Sequence, residues 1–225
     1  MKKIGLIVFI FALSIGLAFT TNCSFGGFSS LSGVQGSGTS KSETRNVRGF
    51  TKIDAGGAVN VEIAVQKNFS VVVEADDNLL ANIKTEVSGD TLKIYSEDRI
   101  SPKTRVNVLI SMPEMEGLDV SGASSGNVAN VNADSLELKA SGASEIKMDG
   151  TAKELNADAS GASTINAESL KVENADVEAS GASKAIVSAT NDLKVDASGA
   201  SKILYVGEPK NIKQNSSGAS SVTKK

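Results

Sequence analysis

Between residues 116 and 216 apolar and polar side chains alternate in short runs, and each run leads into the same tetrapeptide. Ser-Gly-Ala-Ser begins at Ser121, Ser141, Ser160, Ser180, Ser198 and Ser217, at intervals of 20, 19, 20, 18 and 19 residues. One residue before the first Ser stand Val120, Ala140, Ala159, Ala179, Ala197 and Ser216. Three before stand Leu118, Leu138, Ala157, Val177, Val195 and Gln214. The residues between are mostly polar, so a strand with one buried face precedes every tetrapeptide. The apolar phase resumes five residues past the Ser, at Ile146, Ile165, Ala185, Ile203 and Val222. Alternation breaks across the tetrapeptide itself, which predicts a corner. There Gly supplies unusual dihedrals, Ala fills the inside of the bend, and Ser hydroxyls bond backbone from coil to coil. Candidate corner glycines are Gly57, Gly122, Gly142, Gly161, Gly181, Gly199 and Gly218.

A steady period of about 19 residues is too short for a helix pair and fits two or three short strands per coil. The pattern predicts an all-β chain, a right-handed parallel β-helix whose coils stack about 4.8 Å apart. Residues 45–225 form one domain on this reading, with irregular coils over 45–115 and repeat coils over 116–225. In the irregular part Ile53-Asp54-Ala55-Gly56-Gly57-Ala58 is a degenerate first copy. Strand-like runs follow, Ser88-Gly89-Asp90 makes a turn, and residues 76–81 are expected to form one helical turn. Larger residues such as Phe50, Phe69 and Tyr95 lie here, suited to covering the open end of a stack.

Composition narrows the function. Aromatics make up 4% of the 225 residues, so the core must come from Val, Ile, Leu and Ala. The net charge of −3, or −5 without Lys2 and Lys3, argues against a nucleic-acid partner. With no His, Ser–His–Asp and Cys–His catalysis are excluded and the commonest transition-metal ligand is missing. No metal or other cofactor is expected.

The single Cys has its own setting. Lys2 and Lys3 are followed by an apolar run to Phe19, then Thr20, Thr21, Asn22 and Cys23. Residues 1–22 have the layout of a secretory signal peptide, and Cys23 stands where a lipoprotein is acylated. Thr20 and Asn22 depart from the usual Leu and small residue of that signal. Ser24, in place of Asp, directs an enteric-type lipoprotein to the outer membrane. Residues 23–44, rich in Ser, Gly and Thr, are expected to be a flexible tether. The expected address is the cell envelope, with the lipid as the membrane contact.

Several of these stretches resemble one family. Arg48-Gly49-Phe50, Asp54-Ala55-Gly56-Gly57, the run from Val59 to Ile63, and the run from Val71 to Ala75 followed by Asn78-Leu79-Leu80 appear in that order. Gly89-Asp90-Thr91-Leu92-Lys93-Ile94 and the later Leu-x-x-Ser-Gly-Ala coils follow. From Val47 onward the chain resembles the head GIN domain family of auto-transporter adhesin type. The resemblance implies a right-handed β-helix, often behind a lipoprotein signal. It carries over no catalytic residues.

Carboxylates are the remaining chemistry. Asp119, Asp158, Glu178 and Asp196 share one column just outside the buried strand, with Lys139 interrupting. Stacked acids of this kind can hold a cation or work as an acid/base pair, and they also make an ordinary solvated face. The hydroxyls of the tetrapeptides offer a second regular polar surface. Two functions follow. One is a non-catalytic binding, adhesion or structural module of the envelope, facing a glycan or another surface component. The other is a polysaccharide lyase or hydrolase working through surface carboxylates. Self-association through the ends of the stack is a further reading.

Overall fold

A computed structural model describes residues 33–225. The expected signal peptide and Cys23 lie outside the described residues. Among those described there is no helix, and the strands form one long stacked sheet with a separate two-stranded pair.

The repeat half consists of β11 (Ser125–Ala140), β12 (Glu145–Ala159), β13 (Thr164–Ala179) and β14 (Lys184–Ala197). Each pairs in parallel with the next, and Leu136, Leu155, Ala175 and Leu193 fall in one register column. Leu138, Ala157, Val177 and Val195 form the next. These columns are buried, so identical positions of successive coils stack into one continuous core. Burial changes phase within each strand as well as at the tetrapeptide. In β12 the buried positions run Ile146, Met148, then Ala152, then Leu155, Ala157 and Ala159. Each coil therefore has three short faces. The stack closes with β15 (Lys202–Val206), β16 (Asn211–Ser216) and β17 (Ser221–Lys224), with β16 on β14 and β17 on β15.

The tetrapeptide corner differs from expectation in which side chain turns inward. Ala123, Ala143, Ala162, Ala182 and Ala200 are exposed, whereas Ser124, Ser144, Ser163, Ser183 and Ser201 are buried. The reason is a hydrogen bond that Ala cannot make. Ser163 Oγ donates to the Ala140 carbonyl of the coil before at 2.9 Å, and Ser144, Ser183 and Ser201 do the same one coil apart. The same Ala140 carbonyl also accepts from Ser160 N. Thus the first and last Ser of one tetrapeptide clamp one carbonyl of the coil before, and the buried hydroxyl is satisfied. Between them, Ala162 N donates to Gly142 O at 2.7 Å.

The N-terminal part uses β3 (Lys52–Ala55), β4 (Asn60–Val65), β5 (Ser70–Asp76), β6 (Ile83–Ser88), β7 (Thr91–Ser96), β9 (Asn107–Met112) and β10 (Gly117–Val120). Strands β3, β4, β7, β9 and β10 continue the parallel stack. Antiparallel pairs break it: β5 on β9, and the β6–β7 hairpin. Together with buried Phe50, Leu79, Met112 and Met115 they cover the core at this end. Residues 77–82 form successive turns, with Leu79 N bonded to Asp76 O and Asn82 N to Leu79 O, in place of the expected helical turn.

The expected tether is corrected over residues 34–44. Val34–Gln35 (β1) pairs with Ile100–Ser101 (β8), and Ser40–Arg45 (β2) adds antiparallel to β5. Glycine serves close approach there. A Cβ on Gly33 would strike the Arg99 carbonyl, and one on Gly36 the Asp76 carboxylate. Asp76, fully buried, accepts from the backbone N–H of Gly38 at 2.7 Å, Lys103 at 2.8 Å and Thr104 at 3.1 Å. Burial on its own would raise its pKa, but these N–H donors together hold the carboxyl below the usual 3.8. The Gly-Ser stretch is thus a strap tied to an internal anion.

Candidate binding face

Outward-pointing residues stack as regularly as the core. On the face that follows the tetrapeptide, one column runs Leu109, Glu62, Asn127, Lys147 and Asn166 through the registers of β9, β4, β11, β12 and β13. Donors and acceptors are cross-linked within it and beside it. Asn127 Nδ2 donates to Glu62 Oε1 at 2.8 Å, and Ser125 Oγ to Asn60 Oδ1 at 2.6 Å. An open groove of about 1060 Å3 runs over these strands. Leu109, Val72 and Ser70 line one end of it, and Asp149, Glu168 and Ser169 line it farther along their strands from the tetrapeptide. Leu109 is 41% exposed and offers an apolar surface among the polar groups.

Every carboxylate in the groove already has a partner. Glu62 accepts from Asn60 and Asn127. Asp149 Oδ1 accepts from Asn130 N at 2.9 Å. Glu168 is bound by Lys225 Nζ at 2.6 Å. Such fixed acceptors suit recognition of hydroxyls better than proton transfer, which needs an acid free to exchange.

The four acids singled out from the sequence do stack. Asp54, Asp119, Lys139, Asp158, Glu178 and Asp196 occupy one register column on the strands that precede the tetrapeptide. None of them lines the groove. Burial and then the neighbouring Asp54 push the Asp119 carboxyl above its ordinary value. Among the described residues no group of three or more Cys, Asp or Glu side chains is arranged to hold a metal ion. The corner glycines are all at positive φ: 103° at Gly57, 75° at Gly122 and Gly142, and 71–73° from Gly161 to Gly218. Glu62, Asn127, Lys147 and Asn166 were not anticipated. They all sit six residues past the first position of their corner motif, so one more aligned column would have shown them together.

A stack of short coils capped at its N-terminal end, with an open polar groove on one face, defines a β-solenoid. The chain belongs to the family described as "putative auto-transporter adhesin, head GIN domain", whose model matches residues 49–209. Solved structures agree on the fold. One is named a putative adhesin from Bacteroides fragilis, with a TM-score of 0.71 at 19% identity over 85% of this chain and 100% of that one. Others are named putative adhesins from Parabacteroides distasonis, at 0.56, 21%, 85% and 99%, and Parabacteroides merdae, at 0.54, 17%, 85% and 98%. No curated protein matches the chain.

Proposed function

We propose that this protein is a non-catalytic binding module of the cell envelope, held to the membrane by lipid on Cys23, and that the groove over Glu62, Asn127, Lys147 and Asn166 takes up an extended glycan. The observation that carries this reading is the ladder itself. Amides, a carboxylate and an ammonium recur at strand spacing, about 4.8 Å, along an open groove. A polymer of hydroxylated units needs donors and acceptors repeated along its length, and Leu109 and Val72 give its apolar faces something to rest on. The adhesin character of the family and its structural neighbours supports binding over turnover. The enzyme reading needs two carboxylates facing each other across a cleft. The acid column runs along the outside of the strands, away from the groove.

The test is a binding screen of the full chain against envelope polysaccharides, repeated with Lys147→Ala and Asn127→Ala. Losing a hydrogen bond to a charged group is expected to weaken binding roughly tenfold or more for Lys147→Ala. Asp158→Asn, outside the groove, is expected to bind as wild type. Binding that survives both groove changes and vanishes with Asp158→Asn refutes the assignment.

A further inference from the structure

Charge is segregated along the axis of the stack. Residues 33–201 carry 16 basic and 25 acidic side chains, a net of −9. The last coil, residues 202–225, carries five lysines and one glutamate, a net of +4. Lys202, Lys210, Lys213, Lys224 and Lys225 are all exposed. Lys224 pairs with Glu208 and Lys225 with Glu168, while among the described residues no ion pair holds Lys202, Lys210 or Lys213. Register adds to the crowding. Lys202 stacks on Lys184, so like charges sit on adjacent strands there, and Lys213 stacks on Lys194, whose charge is shared with Asp176 at 2.7 Å. Like-charged neighbours disfavour each other and favour an external anion.

This coil is also where the core stops. The inward columns of Leu193, Val195 and Ala197 become Ile212, Gln214 and Ser216 in β16, and the whole strand is exposed. Strands β16 and β17 each pair on one side only among the described residues. Ile212 is 44% exposed in the middle of this lysine-bearing end.

We propose that the C-terminal end of the solenoid docks end-on against the anionic headgroups of a lipid bilayer. Three features select that occupant. A second copy meeting this end would bring lysines against lysines, and the polar Gln214 and Ser216 offer it no core to continue. A bilayer approached side-on would meet the acidic body. Approached end-on, it meets the five lysines first, because the stack from β6 to β16 spans on the order of 40 Å, several Debye lengths at physiological salt. A soluble polyanion would satisfy the lysines but gain nothing from Ile212, whereas a headgroup layer accepts both basic and apolar side chains. The groove is a separate surface, and this docking does not depend on what the groove binds; because the strap joins the stack at its other end and ten residues from Cys23 reach at most about 35 Å, the bilayer met here is a second one and not that holding Cys23.

Flotation of residues 33–225, which pack as a unit of their own without the apolar leader and Cys23, with neutral phosphatidylcholine vesicles, and with vesicles containing phosphatidylglycerol, tests the proposal. The wild type is compared with Lys202→Gln/Lys210→Gln/Lys213→Gln. A control triple, Lys41→Gln/Lys67→Gln/Lys171→Gln, makes the same change in net charge on the body. Each lysine near an anionic surface strengthens partitioning about fivefold, so the end triple is expected to lose roughly 100-fold on anionic vesicles. The control is expected to stay within a few-fold of wild type, and high salt is expected to erase the difference between them. Equal loss in both triples, or no preference of the wild type for anionic vesicles, overturns the proposal. Ile212→Ser is expected to weaken vesicle binding and leave binding to dextran sulfate unchanged. Unaltered vesicle binding by that variant overturns the bilayer as the occupant.

Discussion

Replacing Gly161 with alanine introduces a Cβ into the tightest recurring contact of the stack. Gly161 has φ +72°, a region that L side chains rarely adopt, and forcing one there costs about 1–3 kcal/mol. The new Cβ would also lie 2.8 Å from Gly142 O and 3.1 Å from Gly142 N. Those are backbone atoms, and Gly142 O is held by Ala162 N at 2.7 Å, so the neighbour cannot give way without breaking the ladder. The expected total is about 2–4 kcal/mol, and more for valine, whose branch stiffens the side chain. Two controls separate the causes. Gly57 has φ +103° and a Cβ added there would meet nothing within 4 Å, so Gly57→Ala should show backbone strain alone. Gly218→Ala would meet Gly199 O at 2.8 Å, but in an exposed coil paired on one side among the described residues, where fraying relieves it. Denaturant unfolding of the three variants at matched m-values gives the order Gly161 most, Gly57 less, Gly218 least. If Gly161→Ala unfolds with the wild type, the corners do not carry the stack. If Gly57→Ala costs as much as Gly161→Ala, the coil-to-coil contact contributes nothing.

Two further outcomes follow from the strap and the leader. Asp76→Asn places an NH2 group among N–H donors and is expected to destabilise the chain at neutral pH. Because the folded pKa of Asp76 lies below its ordinary value, its stabilisation is present above about pH 4 and is lost as pH falls through the folded pKa, so unfolding midpoints of variant and wild type should converge in acid. A constant difference down to low pH would show that the ionised carboxylate is not what ties the strap. Cys23→Ala is expected to abolish incorporation of an alkyne fatty acid in cells, and equal labelling of variant and wild type would rule out acylation at Cys23.

The repeat half was legible because one residue column serves every coil: Leu136, Leu155 and Leu193 are apolar for the same geometric reason. The inward turn of Ser163 was not legible. Alternation marks apolar residues as buried, and a buried hydroxyl shows itself only through the carbonyl it bonds. The strap was hidden for a different reason. Composition treats Gly33 and Gly36 as sources of freedom, whereas Arg99 and Asp76, far along the chain, make them requirements of space. The groove left no such mark, because its column mixes Glu62, Asn127, Lys147 and Asn166 and has no single chemical type, unlike the acids Asp158 and Glu178.

The most direct test of a binding role without turnover is to incubate the full chain with the polysaccharide it retains and follow the polymer's length by size-exclusion chromatography. The polymer is expected to keep its full length for as long as it stays bound. Progressive shortening, lost on Asp158→Asn or Glu178→Gln, would contradict the account.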